Sequence, residues 1–326
     1  MTAISRRAFL ATAAGAAGML TAGTSVAQGQ FPSRTVTFVC AFPPGSGADV
    51  IVRFFAQKLA EISKATIIVE NRAGAAGNIA AEHVVRSKPD GHTLYVHGGN
   101  TVAANMHLFH KPPFDAVRDL RIAATMNVQP YMLMVLPDHP AKSVSELTEI
   151  IKKKGDKASY ATSNTAARVM GALYKRAAGL QAVEVNYRGA SDSLNDMSAG
   201  RIDYALHDPV FALSQSRAGR LRMLAVSTAK RMQSLPDVPT MAEQGVPGID
   251  LFGWWAAMLP AGTPEELINA WNEWFGQALA QEDTKAFLNK FGTDVLTMSP
   301  AQGQELLKRS VKEWEEYVRL ADLPKN

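Results

Sequence analysis

Cysteine is almost missing from this chain: Cys40 is the only one in 326 residues. No intramolecular disulfide can form, so packing has to hold the fold together. Cys40 sits in the apolar run Thr35 to Ala41 and reads as a small buried hydrophobe rather than a nucleophile. Metal-ligand spacings are missing too. The sequence has no His-x-x-x-His, no Cys-x-x-Cys and no clustered carboxylates, and its seven histidines are scattered, so no metal is expected. A Gly-x-Ser-x-Gly elbow is absent, which removes the usual seat of a serine nucleophile; in Gly45-Ser46-Gly47 the serine reads as a backbone spacer. No basic stripe with interleaved aromatics occurs, and Lys152-Lys153-Lys154 looks like one exposed helix end, so nucleic acid is not an expected partner.

A strongly apolar run long enough to cross a bilayer is also lacking. The uncharged stretch Ala8 to Ala27 is long enough to cross a bilayer, but alanine, glycine and threonine give it little transfer energy, so no permanent span is expected. Ser5-Arg6-Arg7-Ala8-Phe9-Leu10 at its front and Ser25-Val26-Ala27 at its end read as a twin-arginine export signal, cut near Ala27. Without a cysteine at the cut there is no site for a lipid anchor, so the mature chain is expected to be soluble in the periplasm. Residues 1–27 carry Arg6 and Arg7 and no acid, so cleavage lowers the formal net charge of +4 by two, close to neutrality. Roughly 300 residues can bury a large core and tend to split into two domains.

What is present is an alternation of strand and helix patterns, which predicts an α/β protein on largely parallel sheets. Strands are expected at Thr35–Cys40, Thr66–Val69, Thr93–His97, Tyr131–Leu136, Ala158–Ala161, Val183–Asn186, Ile202–Leu206 and Leu221–Val226. Helices are expected between them, with a capping box at Ser143-Val144-Ser145-Glu146, and two more near the end, from Thr263-Pro264 and Ser299-Pro300. Trp271, Trp274, Trp314 and Tyr317 recur at helical spacing on that last pair and read as core. Several strands run into small or polar turns, among them Gly98-Gly99-Asn100-Thr101 and Thr162-Ser163-Asn164-Thr165. Two α/β units with such turns facing each other predict a ligand cleft between lobes at the carboxyl ends of strands. Val128–Tyr131 and Gly248–Phe252 are short enough to serve as hinge crossovers.

The most informative turn is Phe42-Pro43-Pro44-Gly45-Ser46-Gly47-Ala48-Asp49, which joins the first strand to the first helix. Its glycines let backbone approach a ligand, and the free amides and positive dipole end of the next helix attract carboxylate or phosphate. Gly47 is expected to be indispensable to that geometry. A second reading competes for the same residues: Gly45-x-Gly47-x-x-Val50 approaches the dinucleotide fingerprint, and Glu70 stands where a ribose-binding acid would, which would make the chain an exported NAD(P)-dependent oxidoreductase. Val50 in place of a third small residue and the stiff Pro43-Pro44 count against it.

Phe31-Pro32-Ser33-Arg34, the turn Phe42 to Asp49, Val69-Glu70-Asn71-Arg72-Ala73-Gly74-Ala75-Ala76-Gly77-Asn78, Lys88-Pro89-Asp90-Gly91-His92-Thr93-Leu94, Leu235-Pro236-Asp237-Val238-Pro239-Thr240 and Pro260-Ala261-Gly262-Thr263-Pro264 appear in this order. This set resembles the periplasmic solute-binding proteins of tripartite tricarboxylate transporters, the Bug receptor family, over the whole mature chain. The resemblance implies a two-lobed, type II-like Venus-flytrap fold without enzymatic activity or cofactor. It also implies delivery of a small carboxylate, aliphatic or aromatic, to the permease subunits of such a transporter. A monomer is expected, with residues 28–130 and 249–326 in one lobe and 131–248 in the other.

Carried over by position, the resemblance assigns Phe42, Pro44, Gly45, Ser46, Gly47 and Asp49 to a carboxylate clamp, with Thr101 in a second loop of the same lobe. From the other lobe it brings Ser163, Asn164, Thr165, Tyr187, His207 and Asp208 to the cleft, and it leaves open whether Trp254 touches ligand. The chain departs from the family pattern at a shorter turn before Thr165, at Arg168 in place of a common histidine, and at His207 in place of a frequent aspartate. Arg168, turned inward, would pair with a second carboxylate. Losing the aspartate lowers the expectation of an amino-acid ligand.

Overall fold

The computed structural model describes residues 31–187 and 189–326; the export leader expected at residues 1–27 lies outside them, as does Arg188. The chain runs β1 (Val36–Cys40), α1 (Gly47–Ser63), β2 (Ile67–Asn71), α2 (Asn78–Val85), β3 (Thr93–Gly98), α3 (Gly99–Leu108), the single turn α4 (Ala116–Asp119) and the long β4 (Leu120–Pro130). A second series follows: β5 (Met132–Val135), α5 (Val144–Lys154), β6 (Ser159–Thr162), α6 (Thr165–Ala178), β7 (Val183–Asn186), α7 (Ala190–Ser198), β8 (Tyr204–His207), α8 (Pro209–Arg217) and β9 (Arg222–Val226). The chain then returns through β10 (Phe252–Pro260), α9 (Glu265–Ala280), α10 (Glu282–Lys290), β11 (Asp294–Val295) and α11 (Pro300–Leu320).

Two sheets result, one per lobe: β11-β4-β10-β3-β1-β2 and β7-β6-β8-β5-β9. Neither is largely parallel, which corrects the expectation from sequence. β1 pairs parallel with β2 and β3, but β10 lies antiparallel between β3 and β4. In the second sheet β6 pairs parallel with β7 and β8, and β5 runs antiparallel to β8 and β9. β4 and β10 are strands beyond those expected from sequence, and both are buried on two faces over most of their length: β10 reads as one apolar run without the alternation that marks a half-exposed strand, whereas β4 does alternate from Thr125 to Gln129 and that signal was there to be read.

Side-chain caps set where the helices begin. Ser46, Ser143, Asn164, Asp208 and Ser299 each accept an amide from the first turn of α1, α5, α6, α8 and α11. Ser299 and Gln302 close a full capping box, whereas Glu146 reaches back to the Lys142 amide instead of that of Ser143. Thr263 does not cap α9; its hydroxyl bonds to the Pro260 carbonyl and the helix starts one residue later, after Pro264. Under the first sheet, Phe38 packs edge-on to Trp271 and stacks on Phe275, while the Trp271 indole donates to the Gly91 carbonyl.

Only Tyr131 separates β4 from β5. The return strand is tied to it through Ser227, which is fully buried. The Ser227 hydroxyl accepts from the Tyr131 amide at 2.8 Å and donates to the Leu251 carbonyl at 2.5 Å. Its backbone amide and carbonyl also bond Tyr131 and Leu251. Both passages between the sheets are therefore held by one serine.

Candidate functional site

A cavity of about 350 Å³ opens between the two sheets. From the first sheet, Phe42 follows β1, His97 closes β3, and Asn100 and Thr101 form the first turn of α3. Across from them stand Asn164 and Thr165 at the start of α6, and Asp208 at the start of α8. Tyr131 of the crossover, Trp255 of β10 and Trp314 of α11 complete the apolar wall. The expected glycine loop at 98–101 is a helix start: β3 passes directly into α3, and the Gly98 cap position supplies no side-chain acceptor. The first amides of α3 and α6 thus present two positive dipole ends, one from each lobe.

Two buried side chains in the wall carry polar atoms without a hydrogen-bond partner among the described residues. His97 is 2% exposed and neither ring nitrogen is hydrogen-bonded; burial lowers its pKa to about 3, so the imidazole is neutral. Its ring lies 5.1 Å from Phe42 and 5.0 Å from Tyr95. Asn105 donates to the Ala76 carbonyl and to Asn78, leaving its own carbonyl oxygen unpaired beside the cavity. Those bonds hold a strained turn in which Ala75 and Ala76 adopt φ of 46° and 52°, a left-handed conformation costly for alanine. Tyr131 is buried against Gln129 and Asn100, and burial together with the nearby Asp208 pushes its phenol up.

Phe42, Thr101, Asn164, Thr165 and Asp208 line this cavity among the residues singled out in the sequence. The others do not, each for a physical reason. Pro44, Gly45 and Gly47 lie on the exposed side of their turn, and Ser46 is engaged as the α1 cap. Gly45 has φ of +78° and needs glycine for it; Gly47 is the first helical residue, with open space around a built Cβ, so glycine is not indispensable there. Asp49 is buried and turned inward, accepting from the Gly45 amide and Arg53 at 2.8 Å each and from Asn71 at 2.7 Å. Burial by itself would raise its pKa, but these donors outweigh it and hold the carboxyl at about 2.

In the second lobe, Arg168 points to Glu184, its Nε 2.8 Å from a carboxylate oxygen that also accepts from Thr162. Ser163 precedes the α6 cap outside the wall. Tyr187 donates to Asp196, and its phenol is pushed up to about 12 by burial and that bond. His207 lies beneath the surface against Phe211, 3.4 Å from the Ser193 hydroxyl, with its pKa lowered to about 4 by burial. Trp254 is buried with its indole bonded to Ser310; its neighbour Trp255 faces the cavity instead.

His97, Asn105, Tyr131, Trp255 and Trp314 were not expected in the site. Recognising β10 as a strand would have found Trp255, since successive residues face opposite sides. Nothing local marked Trp314, which helical spacing grouped with the core. The dinucleotide reading finds no support in the β1 turn: the Gly45 amide that would meet a pyrophosphate is taken by Asp49, and Glu70 pairs with Arg72 at 2.6 Å.

Residues 51–323 match the family described as Tripartite tricarboxylate transporter family receptor. BugT of Bordetella pertussis (strain Tohama I) is 28% identical over 95% of this chain and 94% of its own length. Among solved structures, R. palustris Rpa4515 with adipate superposes with a TM-score of 0.77 and 27% identity, covering 91% of this chain and all of that one. MatC (Rpa3494) from Rhodopseudomonas palustris with bound malate does so with a TM-score of 0.71 and 29% identity, over 88% of this chain and all of its own.

Proposed function

This chain belongs to the tripartite tricarboxylate transporter receptor family, and from that premise we propose that it is a periplasmic receptor that captures a small carboxylate between its lobes and hands it to a membrane permease. The observation that carries this reading is the pair of helix starts, α3 from one sheet and α6 from the other, on a single cavity that holds unpaired buried polar atoms. A carboxylate there receives backbone amides at the positive ends of two helices and needs no cationic side chain. The adipate and malate held by its structural relatives support carboxylate as the ligand class.

Residues 34–130 and 249–326 form one moving body and 131–248 the other, with Tyr131, Ser227 and Leu251 as the hinge. Phe42, Thr101, Asn164, Thr165 and Asp208 contact the ligand. The turn from Pro44 to Asp49 holds Phe42 in place through Asn71, which bonds both the Phe42 carbonyl and Asp49. Binding to the closed form draws the lobes together, and the closed face docks on the permease. The protein works in the periplasm after removal of its leader, as a monomer without catalytic activity.

The test is a thermal-shift screen of the mature protein against aliphatic and aromatic carboxylates, with nicotinamide dinucleotides on the same plate. A rise in Tm with carboxylates and none with dinucleotides supports the receptor. Stabilisation by a dinucleotide alone, or by no carboxylate, overturns it.

A further inference from the structure

The charges around the cavity are unbalanced in a way that bears on the ligand. No lysine or arginine stands among the described residues that wall it; the one formally charged side chain is Asp208. Its Oδ1 accepts the Phe211 amide at 3.1 Å as the α8 cap, and that is the only hydrogen bond its carboxylate makes among the described residues. The rest of the carboxylate has acceptor capacity to spare, and the nearby Tyr131 phenol is buried in the same wall.

A dicarboxylate would need a second anion receptor. The α3 and α6 amides serve one carboxylate, and Arg168 is paired with Glu184. His97 is a neutral ring. A second carboxylate reaching Asp208 would meet a like charge in the cavity wall. An ammonium or N–H group at that point would meet an acceptor instead.

We infer that Asp208 selects for an amino-carboxylate, a ligand whose carboxylate docks at the helix starts and whose nitrogen donates to Asp208, over a dicarboxylate of the same length. This rests on the receptor reading above and names the ligand class of the same cavity. The position differs from that weighed in the sequence. His207 stands where the resemblance has an acid, and the chain places its acid on the cavity at the next residue, as the cap of α8. Phe42 and Trp255, stacked with centroids 6.0 Å apart, give the body of the ligand a flat apolar wall, so both aliphatic and aromatic skeletons fit.

Matched ligands isolate the effect. Adipate and 6-aminohexanoate have the same length and differ by one carboxylate for one ammonium; terephthalate and 4-(aminomethyl)benzoate form the aromatic pair. Isothermal titration of the mature wild-type protein is expected to give at least tenfold tighter binding of the amino member in the pair that binds. Asp208→Asn keeps a good cap for α8, so the variant folds. It is expected to erase or invert the preference while carboxylate binding persists. Tighter binding of the dicarboxylates by wild type, or an equal preference in Asp208→Asn, overturns the role of Asp208 and leaves the receptor reading standing. No binding of any of the four, nor of any carboxylate in the thermal screen, overturns both.

Discussion

His97 and His207 are the two histidines that burial alone pushes strongly toward the neutral form, to about 3 and about 4. Their pH dependence has a definite sign. The unfolded chain protonates both near pH 6.5 whereas the folded chain resists, so the unfolded state binds more protons as acid is added. Stability is full above about pH 6.5 and declines as pH falls toward 4, by on the order of 3 kcal/mol for His207 alone. Urea melts at pH 7.5 and 5 should place the midpoint lower at pH 5; equal midpoints would mean the rings are already charged in the fold. Arg168 gives a prediction against the sequence expectation. With its guanidinium on Glu184, Arg168→Ala should leave carboxylate affinity within about twofold and lower stability by about 1 kcal/mol, a magnitude typical of a partly exposed pair. A tenfold loss of affinity by titration would return Arg168 to the site. In both cases the residue type was legible from the sequence and its direction was not. Which way a side chain points from a helix start depends on what the adjacent strand offers, here Glu184 on β7.

Helix starts were the most legible elements. Ser299-Pro300 and Ser143 announce α11 and α5 because a capping side chain acts within three residues, a range the sequence displays. The β3–α3 junction is different. Gly99 opens α3 under Trp254, and a built Cβ would stand 2.2 Å from the indole. Gly99→Ala must then push Trp254 off Ser310 or lift α3 from the sheet. A loss of about 3 kcal/mol, at the upper end of overpacking penalties, is expected in denaturant melts, with weakened ligand binding because the α3 amides shift. Wild-type stability in that variant would place the helix start elsewhere. The requirement links residues more than 150 positions apart, and no window of sequence contains it. The pairing of β4 with β10 is long-range in the same way: β10 is apolar on both faces and only its antiparallel partner fixes it as a strand, while β4 alternates from Thr125 to Gln129.

At the scale of the molecule, one buried serine holds both passages between the sheets. Ser227→Ala removes the hydroxyl bonds to Tyr131 and Leu251 while keeping the backbone ones. The apo scattering profile is expected to broaden and ligand affinity to fall severalfold with stoichiometry unchanged, because a smaller fraction of molecules is binding-competent. Unchanged scattering and affinity would mean that the backbone bonds suffice.

By itself the sequence determined the α/β class, the positions of most strands, the caps of α5 and α11, and a resemblance specific enough to name the family. These follow from short-range periodicity, local hydrogen bonding and ordered motifs. Tertiary structure decided the mixed sheets, the inward turn of Asp49, the pairing of Arg168, and which polar groups face the cavity without a partner. Those depend on contacts between segments far apart in the chain, whose energies exist only once the sheets have formed.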